Sequence, residues 1–140
     1  MHQPEVIDPW GRAVIEVDQG RRFHAEALPL DLEQLDADVQ WALQIRLELP
    51  DKQRVETRVL RLRGQLAEVI ESGVIDKDDP TLGGLFATAH RLISHPVPPG
   101  QMSHTDAYEH LRHLGNNARA VAAIYRMRRA RANREKGHTA

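Results

Sequence analysis

Cysteine is absent from the 140 residues. With it go disulfides, thiolate nucleophiles and every zinc site built on sulfur. Aromatic side chains are scarce: Trp10, Phe23, Trp41, Phe86, Tyr108 and Tyr125 are the whole set. Aliphatic residues must therefore fill most of any core. No apolar run approaches the ~20 residues of a membrane span. Serine occurs only at Ser72, Ser94 and Ser103, never within a Gly-x-Ser-x-Gly turn. Gly83-Gly84 lacks the lysine and the spacing of a phosphate loop. Asp76, Asp78 and Asp79 lack the glycine and closing glutamate of a calcium loop. The start, Met1-His2-Gln3-Pro4-Glu5, has neither the basic nor the apolar region of a secretory leader. The expectation is a cytoplasmic, non-membrane, non-enzymatic protein with no cofactor and no assigned catalytic residue.

What the chain does have is a strong charge asymmetry. From Arg119 onward, Arg119, Arg126, Arg128, Arg129, Arg131, Arg134 and Lys136 face a single acid, Glu135. That end carries +6, which leaves −7 for the first 118 residues of a chain whose total is −1. An acidic body with a basic tail implies an electrostatic partner, or a tail folded back on its own body. Arginine outnumbers lysine sixteen to three. A GC-rich genome produces that bias, so arginine content alone does not argue for nucleic acid.

Residues 1–29 read as an N-terminal arm. Pro4, Pro9, Gly11, Gly20 and Pro29 punctuate a β-like run, Ala13-Val14-Ile15-Glu16-Val17, and Arg21-Arg22-Phe23-His24-Ala25 could return as a second strand. The alternatives are an irregular segment and a short β-hairpin.

From Asp31 the apolar period becomes helical. Asp31 is a candidate cap for a first helix carrying Leu32, Leu35, Val39, Leu43 and Leu47, which Leu49-Pro50 ends. Asp51 can cap a second, whose seam Val55, Val59, Leu62, Leu66 and Val69 stops at Ser72-Gly73. Thr81 can cap a third, with Leu82, Leu85, Phe86, Ala89, Leu92 and Ile93. After the stiff His95–Gly100 connector, Ser103 begins a fourth with Ala107, Leu111, Leu114, Ala118, Val121 and Tyr125. Gly115-Asn116-Asn117 are three poor helix formers in a row and predict a kink. The fold class is all-α, an up-and-down four-helix bundle over residues 30–133 with a frayed basic tail over 134–140.

Two constellations invite a functional reading. His110 and His113 stand at i, i+3, with Asp106 and Glu109 one turn before them, a donor set that could ligate a divalent metal and so offers a second alternative function, a metal-dependent helical-bundle enzyme. The simpler reading makes Asp106–His110 and Glu109–His113 surface i, i+4 pairs, and we assign no metal site. His90, His95 and His104 flank the proline connector, where protonation could act. The stronger candidate is Arg126, Arg128, Arg129 and Arg131. Such a face can meet an acidic protein surface, which we favour, or the phosphates of a nucleic acid. It can equally complement the helix dipole and keep the helix end hydrated. Self-association into a homo-oligomer is left open.

The residues Leu62-Arg63-Gly64-Gln65-Leu66, His110-Leu111-Arg112-His113-Leu114, Ala118-Arg119-Ala120 and Ile124-Tyr125 resemble a group of small, functionally uncharacterised helical proteins of Streptomyces and related actinobacteria. Some of these are associated with natural-product gene clusters. The resemblance spans about residues 60–125 and implies a helical protein, its motifs being packing patterns with no catalytic signature to carry over.

Overall fold

A computed structural model describes residues 6–7, 13–14 and 30–138. Helices dominate them: α1 Leu32–Leu43, α2 Lys52–Glu71, α3 Gly83–Ile93 and α4 His104–His138. Single 3-10 turns, Pro80–Leu82 and Pro99–Gln101, precede α3 and α4. Ala13–Val14 pairs antiparallel with Val6–Ile7, Val6 opposite Val14. The return strand expected at residues 21–25 lies outside the described residues.

Short polar side chains set most helix starts, because each occupies a backbone N–H that the helix leaves unpaired. Asp31 accepts from the Gln34 amide at 2.9 Å, Asp51 from Arg54 at 3.2 Å and Ser103 from Asp106 at 3.0 Å. Thr81 does not cap the third helix: α3 starts after Leu82 with no side-chain cap, and Asp79 caps the 3-10 turn before it, accepting from the Thr81 amide at 2.9 Å and its hydroxyl at 2.7 Å. Gly73, at φ +81, ends α2 in the left-handed conformation that favours glycine.

The first helix is also shorter than its apolar spacing implied. It stops at Leu43, and Ile45 and Leu47 stand 88% and 102% exposed. The amides of residues 45 and 46 would have taken the Trp41 and Ala42 carbonyls. Two guanidinium groups take them instead: Arg46 Nη1 reaches Trp41 O at 2.8 Å, and Arg112 Nη1, from α4, reaches Ala42 O at 3.3 Å.

Gly115 does not interrupt the helix, and α4 runs unbroken through 35 residues. Its interior holds the helix together there. A Cβ on Gly115 would sit 3.0 Å from the Ala42 Cβ and 3.1 Å from Leu43 Cδ2, so the glycine marks a close crossing of α4 with α1. Asn117 is buried and donates to the Leu85 carbonyl at 3.3 Å. The helix continues past Arg134 to His138, through residues (arginine, alanine, glutamate and lysine) that favour helix.

The core forms where these helices meet. α4 packs along α1, α2 and α3, and α2 also touches α1 and α3. All five seam residues of α2 are buried, as are Ala107, Leu111, Leu114, Ala118, Val121 and Tyr125 of α4. Among the described residues no helix is long and apolar enough to cross a membrane.

Candidate functional site

Tyr125 is the last buried residue of α4. Beyond it the helix continues to His138, which at 1.5 Å per residue is an arm of about 20 Å. The four arginines singled out by sequence all sit at its root, but they are not equivalent. Arg126 Nη2 lies 2.7 Å from Asp36 of α1, and Arg128 Nη2 lies 3.3 Å from Asp79. The acidic body thus holds two of the four. Thr81 first, and Arg128 after it, keep the Asp79 carboxyl below its ordinary range. Arg129 Nη1 donates to the Tyr125 hydroxyl, a neutral acceptor, at 2.7 Å. Arg131 is exposed and has no acidic partner among the described residues. Of the four, Arg129 and Arg131 are therefore the ones with no acidic partner among the described residues, and Arg134 follows one turn on.

The two histidines part company. His113 faces solvent beside a groove between α3 and α4 lined by Leu85, Thr88, Arg91 and Asn116. His110 is buried, which corrects its reading as a surface partner of Asp106. Neither histidine is paired with its expected carboxylate among the described residues, and no group of three or more His, Asp or Glu is placed there to hold a metal ion. What meets His110 is Arg63 of α2. Nη2 lies 2.9 Å and Nε 3.3 Å from His110 Nε2, while Nη2 also reaches the Val97 carbonyl at 3.5 Å. The His95 ring leans on His110 with centroids 4.8 Å apart. Burial, and then the Arg63 charge, lower the His110 pKa to about 3, so this imidazole is neutral at pH 7. Burial also lowers the Arg63 pKa, though a guanidinium remains charged.

A third cluster went unseen in the sequence. Asp38 of α1 is buried and accepts from Arg61 Nε at 3.1 Å and Nη2 at 2.7 Å, and from Gln34 and Gln65 at 3.2 Å each. Arg58 lies 3.9 Å away and stacks on one side of Trp41, with Arg46 also over the ring, each 4.1 Å from its centroid. Desolvation and the neighbouring Arg61 lower the Arg58 pKa. This assembly ties α1 to α2 and does not open as a reactive site.

Each missed residue did leave a signal. Asp38 follows Leu35 by three and precedes Ala42 by four, so it lies on the apolar stripe of its helix. Arg63 sits between Val59 and Leu66 at spacings of four and three, and His110 between Ala107 and Leu114 likewise. A polar side chain on an apolar stripe must find a buried partner. Sequence spacing shows the need and not the partner. In comparison with known proteins, the chain matches no family model, no curated protein and no solved structure.

Proposed function

We propose that this chain is a non-enzymatic accessory or regulatory module that docks an acidic protein surface through the basic end of α4. The observation behind the reading is the arm itself, about 20 Å of helix past the last buried residue, on which Arg129 and Arg131 have no acidic partner among the described residues. That stretch adds little to the core, which leaves these two guanidinium groups to a partner. Met127, 64% exposed among those arginines, gives the arm one apolar anchor. The pairs Arg126–Asp36 and Arg128–Asp79 fasten the root and fix the direction in which the rest projects.

Docking of this kind is steered by charge, and its affinity falls as salt rises. We read the scaffold as an up-and-down four-helix bundle with an N-terminal hairpin arm. The packing of α4 on the other three helices supports the first part, and the pairing of Val6–Ile7 with Ala13–Val14 supports the second. The likeness to the Streptomyces proteins belongs to the same reading. The residues that carry it include Leu62, Leu66, Leu111 and Leu114, which are core here, so it speaks to fold and not to partner.

The test is fluorescence anisotropy of a labelled acidic peptide and a labelled random-sequence DNA duplex at two salt concentrations. The proteins compared are the wild type and the Arg126, Arg128, Arg129 and Arg131→Gln variant. We expect the peptide to bind the wild type, to weaken with salt, and to be lost in a variant of unchanged helicity. Preference for the duplex with a steeper salt slope would move the assignment to nucleic acid. No binding of either probe at low salt would reduce the arm to a structural element.

A further inference from the structure

Arg63 is a buried cation with no counter-charge among the described residues. Its side chain is 5% exposed, and its described partners are an imidazole nitrogen and a carbonyl. No ion pair joins it to a carboxylate among the described residues. A guanidinium has no acceptor, so His110 Nε2 must be the unprotonated nitrogen and the ring carries its proton on Nδ1. The charge behind the ring polarises that N–H and makes it a stronger donor. His95 is fixed in the opposite sense. Its Nδ1 accepts from the Val97 amide at 3.1 Å, which leaves Nε2–H to give.

Both rings line a cleft of about 270 Å³ between the proline connector and the first turn of α4. The Gln101 amide and the Ser103 hydroxyl stand in the same wall. Ser103 Oγ already accepts from the Asp106 amide, so its own hydrogen is free to be donated. The start of α4 adds the positive end of a long helix. Four residues able to donate therefore line one small space, with Val97 and Met102 as its apolar sides and Asp106 as the acid among its described lining. Drug-sized ligands occupy roughly 300–1,000 Å³, so this cleft suits something smaller.

We propose that the cleft binds a small hydroxycarboxylate. The carboxylate would lie against the His110 and His95 N–H groups, supplying the negative charge that Arg63 lacks. The hydroxyl would donate to Asp106, whose own charge disfavours a dianion such as phosphate. This site shares no residue with the basic arm and stands or falls independently of it.

The experiment follows the histidine side-chain ¹H–¹⁵N resonances of the full chain at constant ionic strength, titrating glycolate, acetate, inorganic phosphate and chloride in turn. Glycolate should shift the His95 and His110 resonances saturably, and chloride should not. Gln101→Ala should weaken glycolate roughly fivefold, the equivalent of one neutral hydrogen bond. Asp106→Ala, which removes the acceptor for the hydroxyl, should erase the preference for glycolate over acetate. Arg63→Gln should abolish binding. Should that chain fail to fold, Gln101→Ala and Asp106→Ala decide alone, since both side chains are exposed. Absence of saturation, equal shifts with chloride, or indifference to both variants would overturn the site. Phosphate binding tighter than glycolate would overturn the ligand class.

Discussion

Arg61 holds Asp38 through two parallel donors, Nε at 3.1 Å and Nη2 at 2.7 Å, and only one member of the pair is out of water. Asp38 is 1% exposed, whereas the Arg61 side chain keeps 36% of its surface. Loss of the arginine is therefore the damaging change, because it strands a buried carboxylate.

Arg61→Ala should destabilise the fold by roughly 2–4 kcal/mol, since breaking a buried pair leaves a charge uncompensated. The remaining donors, Gln34 and Gln65, and the Arg58 charge 3.9 Å away soften the loss. Adding Asp38→Leu should restore most of it by removing the stranded charge. Urea denaturation of both single variants and the double variant measures the coupling. A loss below about 0.5 kcal/mol for Arg61→Ala would show that the other donors suffice.

His110 makes stability fall in acid. Unfolded, it takes up a proton near pH 6.5, whereas folded it does so only near pH 3. Between those values the unfolded state binds more protons, so stability drops as pH falls. The stabilisation is fully present above about pH 6.5 and is lost progressively towards pH 3. Facing the ring are Arg63 from α2, His95 from the connector and Asp106 and His113 from its own helix. The contribution lost between pH 7 and pH 5 is on the order of 2 kcal/mol. His110→Gln keeps an acceptor for Arg63 but does not titrate. Denaturation at both pH values should show a smaller decline in that variant. An identical decline would assign the acid sensitivity to other groups.

The seams of α2 and α4 were legible because period alone determines which face is buried. Every seam residue expected there lies in the core. What period could not reveal was competition for backbone groups. Leu47 fits the stripe of α1 by spacing, yet Arg46 and Arg112 take the carbonyls that would have carried the helix onward. Gly115 and Asn117 look like helix breakers by propensity, while tertiary contacts with Ala42, Leu43 and Leu85 give both a reason to be where they are. Arg126 and Arg128 read as two more tail cations because their partners, Asp36 and Asp79, lie far away in sequence. Partners of this kind are properties of the packed chain, and spacing along one helix does not encode them.

Gly115 gives the sharpest packing test. Gly115→Leu must force apart a crossing where even a Cβ would come within 3.0 Å of Ala42, and should cost about 1–3 kcal/mol. Gly84→Ala is the control. A Cβ there meets nothing within 4 Å, so it should stabilise by up to about 1 kcal/mol through helix propensity. Thermal melts of both variants compare them directly. A tolerated leucine would mean that α1 and α4 can separate without loss.

The ion pairs at the root of the arm set a ranking among its arginines. Arg126 and Arg128 are already opposed by Asp36 and Asp79, so a partner gains little from their charge. Both pairs are at least partly exposed, and each should affect stability by no more than about 1 kcal/mol. Arg131→Gln should therefore weaken docking to an acidic peptide more than Arg128→Gln does. Asp79→Asn, which keeps a capping side chain for Thr81, should free Arg128 and strengthen docking. Anisotropy at low salt with the three variants orders them. If Arg128→Gln proves as damaging as Arg131→Gln, and Asp79→Asn changes nothing, then the Arg128–Asp79 pair opens on docking. The partner would then compete directly with the body for that arginine.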